Sequence, residues 1–254
     1  MTSTEVRERI EHGWTTVLLP IGGTEQSGPH LALGKHNQRV AALSQQIAQR
    51  LGRTLVAPVM AYVPEGSIDP PAAHMRFAGT ISVPEAAFES VVASAAQSLC
   101  RHGFRDVVLL GDHGGYQRNL QQVAARLERQ PLRKGLASCR VHALVEYYRA
   151  AQADFGDALR ARGFAAGEIG NHAGLADTAL SMALNPGLVR ADKLVRGAGA
   201  SVDGVDGDPR RASADLGQIG VKLIVDTTVS VLQQRIPSLS RLPADPSHVQ
   251  PPPR

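Results

Sequence analysis

The chain has 254 residues, 43% of them hydrophobic, 20% charged and 4% aromatic, with a formal net charge of +4. Such a composition excludes a globally disordered chain, and the length suits one large α/β domain or two small ones around a buried core. The positive charge does not mark a nucleic-acid binder, because basic residues are scattered beside acidic neighbours, with short doublets such as Arg133-Lys134 and Arg210-Arg211, whereas phosphate binding needs a clustered basic face.

Thr15 to Gly22 (TTVLLPIG) is a short apolar run closed by glycine and reads as a buried strand. Val40, Leu43, Ile47 and Leu51 recur at helical spacing, which predicts a helix over 40–51. Leu55 to Tyr62 reads as a second strand weakened by Pro58. A long helix opens at Ser82-Val83-Pro84 and carries Phe88, Val91, Val92, Ala95 and Leu99 along one face. Asp106 to Gly111 (DVVLLG) is a third strand, Gln117 to Leu127 a helix, and Arg140 to Tyr147 a fourth strand. Beyond it, Ala150 to Arg162 and Ala214 to Gln234 read as helices, and Gly197 to Asp208 as a loop rich in glycine and aspartate. Residues 1–236 are read as a single domain, and the tail over 237–254, with six prolines in eighteen residues, as disordered or extended.

Strands separated by helices of ten or more residues imply parallel pairing through crossovers. In such α/β sheets, ligands bind beyond the carboxyl ends of the strands. No apolar run approaches 18 residues, so no membrane partner is expected. The polar start MTSTEVRERIEHGW lacks the apolar core of a secretory signal. Cys100 and Cys139 are too few for a disulfide framework or a thiolate zinc site, and a cytoplasmic location follows as the expectation.

Three segments place titratable residues in glycine-rich loops: Gly22 to His30 followed by His36, Gly111 to Gly115, and Asn171 to Gly174 followed by Asp177. The first two follow predicted strands directly, so their side chains should meet above the sheet. Glu25, His36 and His113 offer two imidazoles and a carboxylate, a ligand set suited to Zn²⁺ or non-haem Fe²⁺. The Gly111 to Gly115 turn alone reads more often as a plain loop than as a ligand site, and Glu25 alone could be a helix cap. Together they make a metal or acid–base site.

At these residues the chain resembles the creatininase (creatinine amidohydrolase) family. GGTEQSGPHLALGKH is similar to the family's G-x-x-E-Q-H-G-P-H-L-P-L-x-x-D, and HMRFAGTISV to its H-x-x-F-P-G-T-x-S-L. GDHGGYQRN, HAGLADTALSMAL and GDPRRASADLG follow in the family's order. The resemblance implies a three-layer αβα sandwich with a mostly parallel sheet. It further implies a homo-oligomer, often a hexamer, and hydrolysis of C–N bonds at two adjacent divalent metals, commonly Zn, Mn or Fe. Carried over by position, Glu25 and His113 match metal ligands and His172 the general base.

The chain departs from the family at the second metal. Ser27 stands where a ligand histidine is expected and His36 where the bridging aspartate is expected. An imidazole has one lone pair for a metal and cannot bridge as a carboxylate does. The expectation is therefore one divalent metal per chain, held by Glu25, His36 and His113 with Asp177 as a fourth ligand, serving hydrolysis of a small amide with Glu25 and His172 as catalytic residues. Substrate contacts are expected from His30, His74, Arg76, Asp112 and Tyr116, and Tyr62 and Glu65 are further pocket candidates, Glu65 either reading a cationic or guanidino group or forming a salt bridge with a neighbour. Two other readings stay open: non-haem iron redox or lyase chemistry on the same fold, and a non-catalytic assembly partner.

Overall fold

The structure, a computed structural model, describes residues 1–129 and 138–240. The doublet Arg133-Lys134 and the proline-rich tail from residue 241 lie outside the described residues. Four strands, β1 (Thr16–Ile21), β2 (Thr54–Val56), β3 (Asp106–Gly111) and β4 (Arg140–Ala143), form one sheet in the order β2-β1-β3-β4, with every neighbouring pair parallel. The helices are α1 (Ser3–Glu11), α2 (Lys35–Leu51), α3 (Glu85–Arg101), α4 (Gln117–Arg129), α5 (Val145–Arg149), α6 (Phe155–Arg160), α7 (Ala166–Ile169), α8 (Leu175–Leu184) and α9 (Ala214–Arg235).

Side-chain alternation along the strands decides the layers. Val17, Leu19 and Ile21 of β1 and Val107 and Leu109 of β3 pack with Phe88, Val92 and Ala96 of α3 and Leu120 and Val123 of α4. Leu18, Val108 and Leu110 pack into the opposite layer with Val40, Leu43 and Ile47 of α2, Ala179 and Leu180 of α8, and Ile224 and Val225 of α9. A sheet apolar on both faces must be covered on both faces, which gives the three-layer αβα sandwich.

Some boundaries differ from the sequence expectation for physical reasons. β2 stops at Val56 because Pro58 has no N–H, and the chain rejoins the edge of β1 through Met60, whose N–H donates to Pro20 O at 3.0 Å. β4 ends at Ala143, and the segment expected as its continuation is helical. Leu144, Tyr147, Ala150 and Ala151 are buried together, a spacing that one helix face satisfies. A π-helical turn over Ala150–Asp154 joins α5 to α6. The two cysteines, read as too few for a disulfide framework, pair as one bond, Cys100–Cys139, between the end of α3 and the segment before β4. Among the described residues no helix is long and apolar enough to cross a membrane.

Candidate active site

The sheet delivers the site at the carboxyl ends of its two central strands. β1 runs into Gly22-Gly23-Thr24-Glu25, and β3 into Asp112-His113. The Asp112 N–H donates to Ile21 O at 3.0 Å, and the Tyr116 hydroxyl lies 2.8 and 2.6 Å from the carbonyl oxygens of Ile21 and Gly22. That hydroxyl also accepts from the His113 N–H at 3.2 Å. Tyr116 is fully buried and pins both strand ends, so its role here is to fix the backbone from which His113 projects.

Glu25 is the hub. Its Oε1 lies 2.8 Å from His36 Nε2, 3.5 Å from Lys35 Nζ and 3.6 Å from His172 Nδ1. Its Oε2 lies 3.1 Å from His74 Nε2 and 3.4 Å from His113 Nε2, yet makes no aligned hydrogen bond. Glu65 closes the other side, with Oε2 3.5 Å from His113 Nδ1 and both oxygens buried without hydrogen-bond partners. A Cβ on Gly23 would stand 2.5 Å from Glu65 Oε1, so glycine leaves that carboxylate the room it occupies. Ligand atoms of Glu25, Glu65, His74 and His113 all fall within 4.8 Å of one another. The two carboxylates are fully buried, whereas the side chains of His74, His113 and His172 keep 23%, 16% and 13% of their exposure, so the histidines line the open side.

A polar layer lies beneath. The first turn of α2 turns Lys35, His36 and Arg39 inward, all buried. Asp177 accepts from Lys35 at 3.0 Å, from Arg39 at 2.7 Å and from the Ala173 N–H at 2.8 Å. Asp112 receives His36 Nδ1 at 2.7 Å and the Tyr147 hydroxyl at 2.8 Å, and Arg39 Nε lies 3.2 Å away. Both ring nitrogens of His36 therefore face carboxylates, which can only accept, so both carry protons. Burial opposes that charge, but Asp112 and Glu25 outweigh it and raise the His36 pKa. Burial would raise Glu25 as well, yet Lys35 and His36 hold it well below the usual carboxylate range.

The histidines on the open side are kept neutral. Burial pushes His113 down to about 3, and burial with the Lys35 ammonium pushes His172 down to about 4. His172 Nε2 lies 2.9 Å from the Gln26 carbonyl oxygen, so this nitrogen carries the proton and Nδ1 presents its lone pair to the site. The Gln26 carboxamide meets His74 Nδ1 at 3.0 Å and turns that ring toward Glu25. Ala73 and Ala173, the neighbours of His74 and His172, both adopt left-handed backbone, with φ of 49° and 54°. Such strain at alanine is typical of positions that over-determined packing holds in place.

The structure thus brings together Glu25, His113, His172 and His74. His36 and Asp177, expected as ligands, are both taken up by ion pairs in the layer beneath. Of the expected substrate contacts, His30 is buried against the Thr178 hydroxyl at 3.0 Å, Asp112 and Tyr116 are buried, and Arg76 is exposed. Sequence reasoning missed Lys35 and Arg39, whose burial on a helix start carries no apolar signal, and it placed Glu65 in the pocket as a contact for a cationic group on the substrate, not among the ligand set.

The family model for creatininase, described as creatinine amidohydrolase, matches residues 1–232. The chain belongs to the creatininase family. A mycofactocin precursor peptide peptidase from Mycobacterium ulcerans is 27% identical, covering 92% of this chain and 91% of that one. A creatinine amidohydrolase from Pseudomonas putida is 29% identical over 77% of this chain and 74% of its own. A creatininase structure with Mn superposes with a TM-score of 0.75 at 22% identity, covering 93% of this chain and 97% of that one, and another is of the Zn–Zn type. Relatives of the chain thus include both an amidohydrolase and a peptidase, and the creatininase structures share the fold described above.

Proposed function

We propose that this creatininase-family chain hydrolyses a C–N bond of a small amide at a single divalent cation, an activity of class EC 3.5. The observation that carries the reading is the set of buried carboxylate oxygens of Glu25 and Glu65 that have no hydrogen-bond partner yet converge with His74 and His113. Burying unpaired carboxylates side by side is costly unless a proton or a cation sits between them. Two carboxylates and two imidazoles suit zinc, manganese or iron. Glu25, Glu65, His74 and His113 would hold the cation, in place of the set that included His36 and Asp177. A divalent cation there supplies Lewis acidity, polarising a carbonyl oxygen and acidifying water at the site.

The remaining work falls to the chain itself. His172, neutral and with Nδ1 turned to the site, takes a proton from water at that atom and returns it to the leaving nitrogen. Glu25 Oε1, 3.6 Å away, stabilises the imidazolium while it lasts. Arg76, exposed and two residues after His74 in the chain, pairs with a carboxylate on the substrate. Cyclic amides, formamides and short peptides share the chemistry required, and the relatives' names point to the first and last. The homo-oligomeric assembly expected from the resemblance and the cytoplasmic location expected from the cysteine count belong to the same reading.

The test is an assay of the metal-reconstituted chain against a panel of these amides, beside His172→Ala. The variant should lose roughly 10²–10⁴-fold in kcat with its bound metal unchanged. Equal loss of metal would make His172 a ligand and overturn its role as base. Turnover that consumed oxygen would favour iron redox chemistry over hydrolysis.

A further inference from the structure

Glu25 divides its surroundings in two. On the Oε2 side stand His74, His113 and Glu65 with oxygens that lack partners. On the Oε1 side positive charge is already built in: Lys35 Nζ at 3.5 Å and His36 Nε2 at 2.8 Å. Lys35 is fully buried, and its ammonium is shared between Glu25 and Asp177 Oδ2, the latter at 3.0 Å. Below it, Arg39 pairs with both Asp177 and Asp112. The buried carboxylates of Glu25, Asp112 and Asp177 are thereby matched by Lys35, His36 and Arg39. Metal pairs that share ligands sit about 3.5–4 Å apart, so a second ion bridged through Glu25 would have to enter the space that the Lys35 ammonium fills.

We infer that Lys35 is the resident second cation of this centre: its ammonium holds Glu25 Oε1 and Asp177, and it limits the site to one divalent ion on the Oε2 side. This rests on the metal reading above. It makes a two-cation centre in which one cation is covalently part of the chain. A fixed ammonium cannot exchange, and it has no open coordination position. It anchors Glu25 electrostatically while leaving substrate and water to the other side.

The experiment is a titration of the chelator-treated full chain with Mn²⁺, reading free ion by electron paramagnetic resonance, for wild type, Lys35→Arg and Lys35→Gln. Wild type should bind one ion, and Lys35→Arg should bind one with little change in Kd. In Lys35→Gln, removal of a neighbouring buried positive charge should tighten Kd by roughly tenfold or more, or admit a second ion. An unchanged Kd and stoichiometry in folded Lys35→Gln would overturn the inference, as would two ions on wild type, which would also overturn the single-ion count above while leaving metal-dependent hydrolysis standing. No ion on wild type would overturn the metal reading and this inference with it. Should Lys35→Gln fail to fold, anomalous scattering from Mn²⁺-loaded wild-type crystals decides. One peak beside Glu25 Oε2 and Glu65 supports the inference, and a peak on the Oε1 side overturns it.

Discussion

At Glu65, burial and the adjoining Glu25 carboxylate push the carboxyl up to about 9, so near neutrality it holds a proton that a cation must displace. His113, down at about 3, and His172, at about 4, have no proton to give up at that pH. Cation binding should therefore release about one proton, and affinity should rise about tenfold per pH unit up to pH 9, then level off. Calorimetry at pH 7 in buffers of different ionisation enthalpy measures that proton, and zero release would place the cation away from Glu65. The low His172 value sets the other limit. A base neutral down to about 4 predicts that, at saturating metal, kcat/KM keeps its plateau well below pH 6.5, where an unperturbed histidine would fail. In the sequence, Glu25, His113 and His172 were legible because glycine-rich loops after apolar runs set them apart. Glu65 could be read as a pocket residue but not as a partner of Glu25, since a lone loop glutamate carries no sign that a glycine forty-two positions earlier has made room for it.

At the scale of elements, β1 and β3 could be read almost to the residue, because central parallel strands are apolar on both faces and end where glycine begins. Helix α2 could be read only from Val40 onward. At its start, Lys35, His36 and Arg39 are buried through ion pairs instead of apolar contacts, and hydrophobic periodicity is silent about such residues. The helical start at Val145 was hidden for a different reason: Val, Tyr and Tyr favour strands locally, and only packing against α9 and the bond from Tyr147 to Asp112 select the helix. That bond has a measurable consequence. Tyr147→Phe leaves Asp112 Oδ1 buried without this donor and should cost about 1–3 kcal/mol in denaturant unfolding. Since Tyr147 stands outside the convergent ligand set, its loss should leave metal stoichiometry unchanged.

For the whole molecule, the αβα layering places two buried carboxylates at the floor of the site and neutral histidines on its open side, over an ion-pair layer that needs no solvent. The Cys100–Cys139 bond ties α3 to β4 across 39 positions of sequence. Closing a loop of that size contributes about 3–4 kcal/mol in the chain-entropy account. Cys139→Ser should therefore lower the melting temperature by several degrees in non-reducing buffer, and the difference should vanish in dithiothreitol. In a reducing cytoplasm the same pair would stand as thiols, so this comparison also reports which form the purified chain holds.

The most direct test of the account is elemental analysis of protein purified without chelators, for wild type, Glu65→Gln and Asp177→Asn, each confirmed as folded. About one divalent ion per chain in wild type, lost from Glu65→Gln and kept by Asp177→Asn, is the predicted result. Metal kept by Glu65→Gln and lost from Asp177→Asn, or a wild-type chain without metal, would contradict it.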